Sequence, residues 1–206
     1  MIADLHPVIR RAHINEAMTY EQYLNLIDNL LLQHKTTGPD QSEAMVKYTE
    51  LNRQRMRKWD KITVINDSLA RQLENFTSPM VWLVLTEAWC GDAAQNLPVI
   101  AKMAALNPNI TLRFLLRDEH LDIMDAYLTG SSRSIPKLIA LDAATLAEKG
   151  TWGPRPAAVQ QLVEDYKSNS GTVTREQFYE QIHAWYAHDK NQHIQQEFAQ
   201  LLDQWQ

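Results

Sequence analysis

One cysteine, Cys90, stands among 206 residues, so no disulfide can close within the chain, and such usage fits a reducing compartment. Glycine is scarce, with six residues, and none of them builds a phosphate-cradling loop or a Gly/Ser linker. Basic residues are outnumbered, with 20 Lys and Arg against 25 Asp and Glu. A net charge of −5 gives no electrostatic reason to expect nucleic acid or an anionic membrane as a partner. The apolar runs are too short to cross a bilayer, and Met1–Pro7 has no basic segment leading into a long apolar stretch. A cytoplasmic location without a signal peptide is therefore expected. There is no Ser-His-Asp motif. His183, His188 and His193 lie five apart, a turn of about 140° each on a helix, so they share no ligand face; no metal and no cofactor are expected.

What is present is enough apolar side chain for a core: 45% hydrophobic residues against 22% charged. The run Val81-Trp82-Leu83-Val84-Leu85 reads as a buried strand. From Gly91 onward Leu97, Ile100, Ala101 and Ala104 recur at helical spacing, which puts Cys90 at a strand-to-helix corner. There the free N–H groups of a first helical turn favour negative charge, so the thiol is expected to ionise more readily than a free cysteine.

The residues before that strand read as helices. Thr19-Tyr20-Glu21-Gln22 has the capping-box form, with Tyr20, Tyr23, Leu24, Ile27 and Leu31 on one face until Gly38-Pro39-Asp40. A second helix from Ser42 carries Met45, Tyr48, Leu51, Met56 and Trp59, with Arg53, Arg55, Arg57 and Lys58 read as a solvated face. A third starts at Asp67-Ser68 and carries Leu69, Leu73 and Phe76. After the Cys90 helix, strand Ile110–Leu116 and a helix with Leu121, Met124 and Leu128, capped by Asp118, give a β-α-β-α order and a parallel strand pair. Strand Pro136–Leu141 and a return strand near Ala147–Trp152 form a hairpin. Gly153-Pro154-Arg155-Pro156 then opens a helix with Val159, Leu162, Val163 and Tyr166 facing inward. Thr174-Arg175-Glu176-Gln177 caps another, with Phe178, Ile182 and Trp185, and Ile194, Phe198, Leu201 and Trp205 extend the stripe. These end stripes either cover the core or offer a surface to a partner or a second copy, giving a homo-oligomer.

Trp89-Cys90-Gly91-Asp92-Ala93 resembles the Trp-Cys-Gly-Pro-Cys site of the thioredoxin superfamily, and Ser134-Ile135-Pro136-Lys137-Leu138 resembles its cis-proline loop. The variant is most similar to a bacterial thioredoxin-like family with flanking helices. The resemblance spans about residues 79–168 and implies an α/β thioredoxin-like fold, a central mixed sheet flanked by helices, with helical extensions over 1–78 and 169–206. It implies Cys90 as nucleophile, with Trp89, Gly91, Asp92, Ala93, Ile135, Pro136 and Lys137 shaping the site. Lys137 would favour the thiolate and an inward Asp92 would oppose it. Ala93 replaces the resolving cysteine and Val84 the buried carboxylate of the family, with Glu87 nearby but at another position. The two-thiol cycle is thereby excluded. Two expectations follow: monothiol exchange with a low-molecular-weight thiol or client protein, serving redox homeostasis, or a binding module without turnover.

Overall fold

The computed structural model describes residues 8–168 and 173–206. Met1–Pro7, read above for a leader, and the start of the C-terminal extension lie outside them. Among the described residues no helix is long and apolar enough to cross a membrane.

Among the described residues four helices precede the sheet: α1 (Arg11–Glu16), α2 (Tyr20–Leu32), α3 (Glu43–Ile62) and α4 (Asp67–Glu74). The capping box at α2 is formed, with the Thr19 hydroxyl accepting from Gln22 N–H and Gln22 Oε1 accepting from Thr19 N–H. Helix α4 is capped by Asn66, one residue ahead of the expected start. Helix α1 has no counterpart in the sequence reading, because six residues with only His13 and Ile14 buried are too short to show a period.

Strand β1 (Met80–Thr86) is buried at every position, as a strand flanked on both sides must be. It leads into α5 (Gly91–Ala104), β2 (Ile110–Leu116), α6 (Leu121–Ala126), the hairpin β3 (Lys137–Asp142) and β4 (Glu148–Trp152), and then α7 (Ala157–Ser168). The sheet order is β2-β1-β3-β4, with β1 parallel to β2 and antiparallel to β3, and β3 antiparallel to β4. Asp118 does not cap α6. It lies in a 3-10 turn, Arg117–Glu119, and its carboxylate is taken by Arg117. Leu128 falls beyond α6, and Leu162 of α7 points outward, 37% exposed.

The C-terminal helices α8 (Arg175–Asp189) and α9 (Gln192–Gln204) dock on the core. Phe198 and Trp205 pack against Trp82 of β1 with ring centroids 5.3 and 5.9 Å apart. From the other end of the chain Tyr23 stacks on Phe114 of β2 at 5.4 Å. Each aromatic buried in this way contributes about 2–3 kcal/mol of apolar transfer, which is what holds both extensions to the sheet. Helix α8 is different: Phe178, Ile182 and Tyr186 join Val159 of α7 in a separate small cluster, which lets α8 lie across the first turn of α5.

Candidate active site around Cys90

Strand β1 ends at Thr86, and the chain turns through Glu87–Trp89 so that Cys90 becomes the N-cap of α5. The Cys90 N–H donates to the Glu87 carbonyl at 3.1 Å, and the Ala93 N–H donates to Cys90 Sγ at 3.5 Å. The thiol itself donates to the Ile135 carbonyl at 3.2 Å, so the loop ahead of β3 closes directly over the sulfur. The Ile135–Pro136 bond is cis. Gly153, at φ +111°, backs that loop: a Cβ there would stand 2.2 Å from the Pro136 carbonyl oxygen, a distance only glycine allows.

Trp89, Gly91, Asp92, Ala93, Ile135 and Pro136 are thus gathered around the thiol. Lys137 is adjacent in sequence but buried at the start of β3, where desolvation lowers its pKa and the carboxylate acting on it is Glu148 of β4. The cation whose field reaches Cys90 is Arg155.

Cys90 is buried, and the expectation of easier ionisation is overturned. Burial first, and the Asp92 carboxylate second, push its pKa up to about 12, against the opposing pull of the Ala93 and Asp92 N–H groups and of Arg155. The helix terminus is present, but desolvating a thiolate costs more than one turn of amide dipoles returns. The Sγ–H donated to Ile135 is the bond of a protonated thiol.

Asp92 does turn toward the sulfur, and it is held there. Its Oδ2 accepts from Arg155 Nε at 2.9 Å and Nη2 at 2.6 Å, and its Oδ1 from the Tyr186 hydroxyl at 2.8 Å. Tyr186 also accepts from Asn96 Nδ2 at 3.1 Å, and His183, one turn earlier on α8, bonds Gln95 at 3.2 Å. The C-terminal extension therefore forms the wall over the first turns of α5. Sequence reasoning missed Tyr186, His183, Gln95 and Arg155. Only Arg155, lodged between Pro154 and Pro156, carried a local signal.

Glu87 is fully buried three residues before Cys90. Its Oε1 accepts from the Asp118 N–H at 2.9 Å, and desolvation raises its pKa against the lowering pull of the Thr37 side chain and of that N–H. Among the described residues no group of three or more His, Cys, Asp and Glu is placed to hold a metal ion.

A parallel β1–β2 pair, an antiparallel hairpin and a thiol facing a proline loop meet a direct comparison: a family model described as thioredoxin matches residues 38–167, more than half the chain. The chain belongs to that thioredoxin family. Among solved structures, an HIV epitope scaffold is similar at TM-score 0.58 and 17% identity, covering 95% of this chain and 98% of the scaffold. A Pseudomonas aeruginosa protein of unknown function is similar at TM-score 0.52 and 18% identity, covering 91% of this chain and 96% of its own. At such identity these two neighbours carry the thioredoxin-like architecture, extensions included, and nothing about activity. No curated protein matches the chain.

Proposed function

We propose that this thioredoxin-family chain, a bacterial Trp-Cys-Gly-Asp-Ala variant, is a monothiol exchanger in which Cys90 forms and releases a mixed disulfide with a small thiol or a client protein. The observation that carries the reading is the placement of the only cysteine at the N-cap of α5, opposite the Pro136 loop, with Ala93 N–H on its sulfur. The Cys90 thiolate attacks one sulfur of a disulfide RSSR; the S–S bond breaks, Cys90–S–S–R forms and RS⁻ leaves to take up a proton. A second thiol R′SH then attacks the R-bearing sulfur of the mixed disulfide; its S–S bond breaks, RSSR′ is released, and Cys90 leaves as a thiolate that takes up the proton R′SH gave up. Ala93 supplies no internal thiol, so the external one is obligatory.

The upward-shifted thiol favours a second reading, a binding module in which the Trp89–Pro136 surface holds a partner without turnover. The two separate on one experiment. The protein is incubated with a small disulfide and analysed by intact mass, with Cys90→Ser as control. One adduct on Cys90, removed by a monothiol, supports exchange. An unmodified thiol under conditions that modify an unfolded control leaves the binding module as the function.

A further inference from the structure

Three arginines surround the Trp89–Gly91 corner, and they differ in their carboxylates. Arg155 is matched by Asp92, and Arg117, whose guanidinium lies 4.8 Å from the centre of the Trp89 ring, is matched by Asp118. Arg55 of α3 makes no ion pair among the described residues. Its neighbours on the same helix show that this is particular to Arg55, because Arg53 and Arg57 both take Asp28.

Arg55 is nonetheless fixed in place. Its Nη1 donates to Asn52 Oδ1 at 2.9 Å, and Asn52, 1% exposed, donates its Nδ2 to the Ala88 carbonyl at 3.1 Å. A buried amide is thus used to tie a guanidinium to the loop that presents Cys90. The Arg55 charge acts on His183, whose Cε1 stands 3.6 Å from where a Cβ on Gly91 would lie, and all three residues are half-exposed.

His183 adds a second donor. Trp59 Nε1–H donates to Gln95 Oε1 at 2.5 Å, which fixes the Gln95 amide so that its Nε2 donates to His183 Nδ1 at 3.2 Å. The neutral ring therefore carries its proton on Nε2, next to the Cε1 that faces Gly91, and no acceptor for that proton is found among the described residues. The one carboxylate whose field reaches His183, Asp92, is already engaged by Arg155 and Tyr186. A partly desolvated guanidinium with no anion is costly, and a carboxylate is the group its planar fork fits.

We propose that Arg55 and the His183 Nε2–H form a subsite for the carboxylate of the thiol or disulfide that reacts at Cys90, so the substrate class is an anionic small thiol. This rests on the exchange reading above. The test compares three disulfides, dithiodipropionate with two carboxylates, neutral bis(hydroxyethyl) disulfide and dicationic cystamine, by the rate at which each modifies Cys90 at low and moderate salt. The expected order is anionic, neutral, cationic. Arg55→Gln should lower the ratio of the anionic to the neutral rate about tenfold, as loss of a charge-assisted hydrogen bond does, and remove the salt dependence of that ratio, while Arg55→Lys retains part of the preference. Equal rates for the anionic and neutral reagents, or a preference that survives Arg55→Gln, overturns the subsite. Should Cys90 react with none of the three, the exchange reading fails and the subsite is judged by binding alone. The unreactive thioether thiodipropionate is titrated into Cys90→Ser by calorimetry, and binding that Arg55→Gln abolishes supports the subsite, whereas no binding overturns it.

Discussion

The hydroxyl of Tyr186 donates to Oδ1 of Asp92 at 2.8 Å, joining the C-terminal extension to the second residue of the helix that Cys90 caps. Asp92 thereby has two roles: it anchors α8, and it presses a negative charge on a thiol already out of water. The extension and the reactivity of the site are coupled through one carboxylate.

The first prediction removes that anchor. Tyr186→Phe keeps the ring in its cluster with Val159, Phe178 and Ile182 but deletes the bond to a carboxylate that Arg155 still holds, so the expected loss of stability is about 1–2 kcal/mol by chemical unfolding. If α8 encloses the site, the rate at which a thiol reagent reaches Cys90 should rise several-fold, more than that loss of global stability explains. An unchanged rate would mean that access to the sulfur runs past the Pro136 loop instead.

The second concerns pH. With a folded pKa of about 12, raised above the value near 8.5 of an unfolded cysteine, Cys90 stays a thiol in the native state through neutral and mildly alkaline pH. Its alkylation rate should climb with pH past 9 without a plateau. The linkage sign follows from the raised value: the stability contributed by the protonated thiol is fully present below about pH 8.5 and is lost as pH rises from there toward 12. Asp92→Asn removes the second cause of the shift and leaves Arg155 uncompensated beside the sulfur, so the alkylation profile should move to lower pH. A plateau centred at or below pH 8.5 in the unmodified protein would refute the burial argument.

Much of this was legible and the rest was not, for reasons that differ by residue. The corner at Cys90 could be read because a strand that is apolar at every position and a helix with a regular stripe leave only one place for the turn. Thr19 and Thr174 could be read because a capping box is a local device whose partners lie three residues apart. Tyr186 could not, since an apolar stripe says that a face is covered and not what it covers. The ionisation of Cys90 was misread for the same reason. A helix N-terminus is visible in sequence, whereas the burial that outweighs it is a tertiary effect: the Ile135 carbonyl that closes over the sulfur lies 45 positions along the chain.

A third prediction tests the support behind the Pro136 loop. Gly153→Ala places a methyl 2.2 Å from the Pro136 carbonyl oxygen at a positive φ, and both the contact and the backbone conformation oppose it. A loss of about 3 kcal/mol or more is expected in denaturant unfolding. Because Ile135 O accepts from Cys90 Sγ, any folded fraction should also show altered thiol reactivity. A neutral substitution would show that the two loops are not in contact in solution.

The last prediction asks what Ala93 means. Its N–H lies on Cys90 Sγ, so it occupies the position three residues on in the first turn of α5, where Cα atoms stand about 5–6 Å apart, within the range a disulfide accepts. Ala93→Cys should therefore form an internal disulfide, seen as a loss of two mass units and of thiol titration. The new sulfur must be accommodated in a buried position, since Ala93 is only 2% exposed, which sets a packing cost of about 1–3 kcal/mol against the oxidised form. With a chemical reductant present, the variant should reduce a model protein disulfide that the unmodified chain does not. The gain should be partial, because Val84 stands where the family keeps its proton-transfer carboxylate and Glu87, though buried nearby, has its Oε1 held by the Asp118 N–H. If the internal disulfide forms and nothing is reduced above background, the site has lost more than one sulfur, and partner binding becomes the function of the fold.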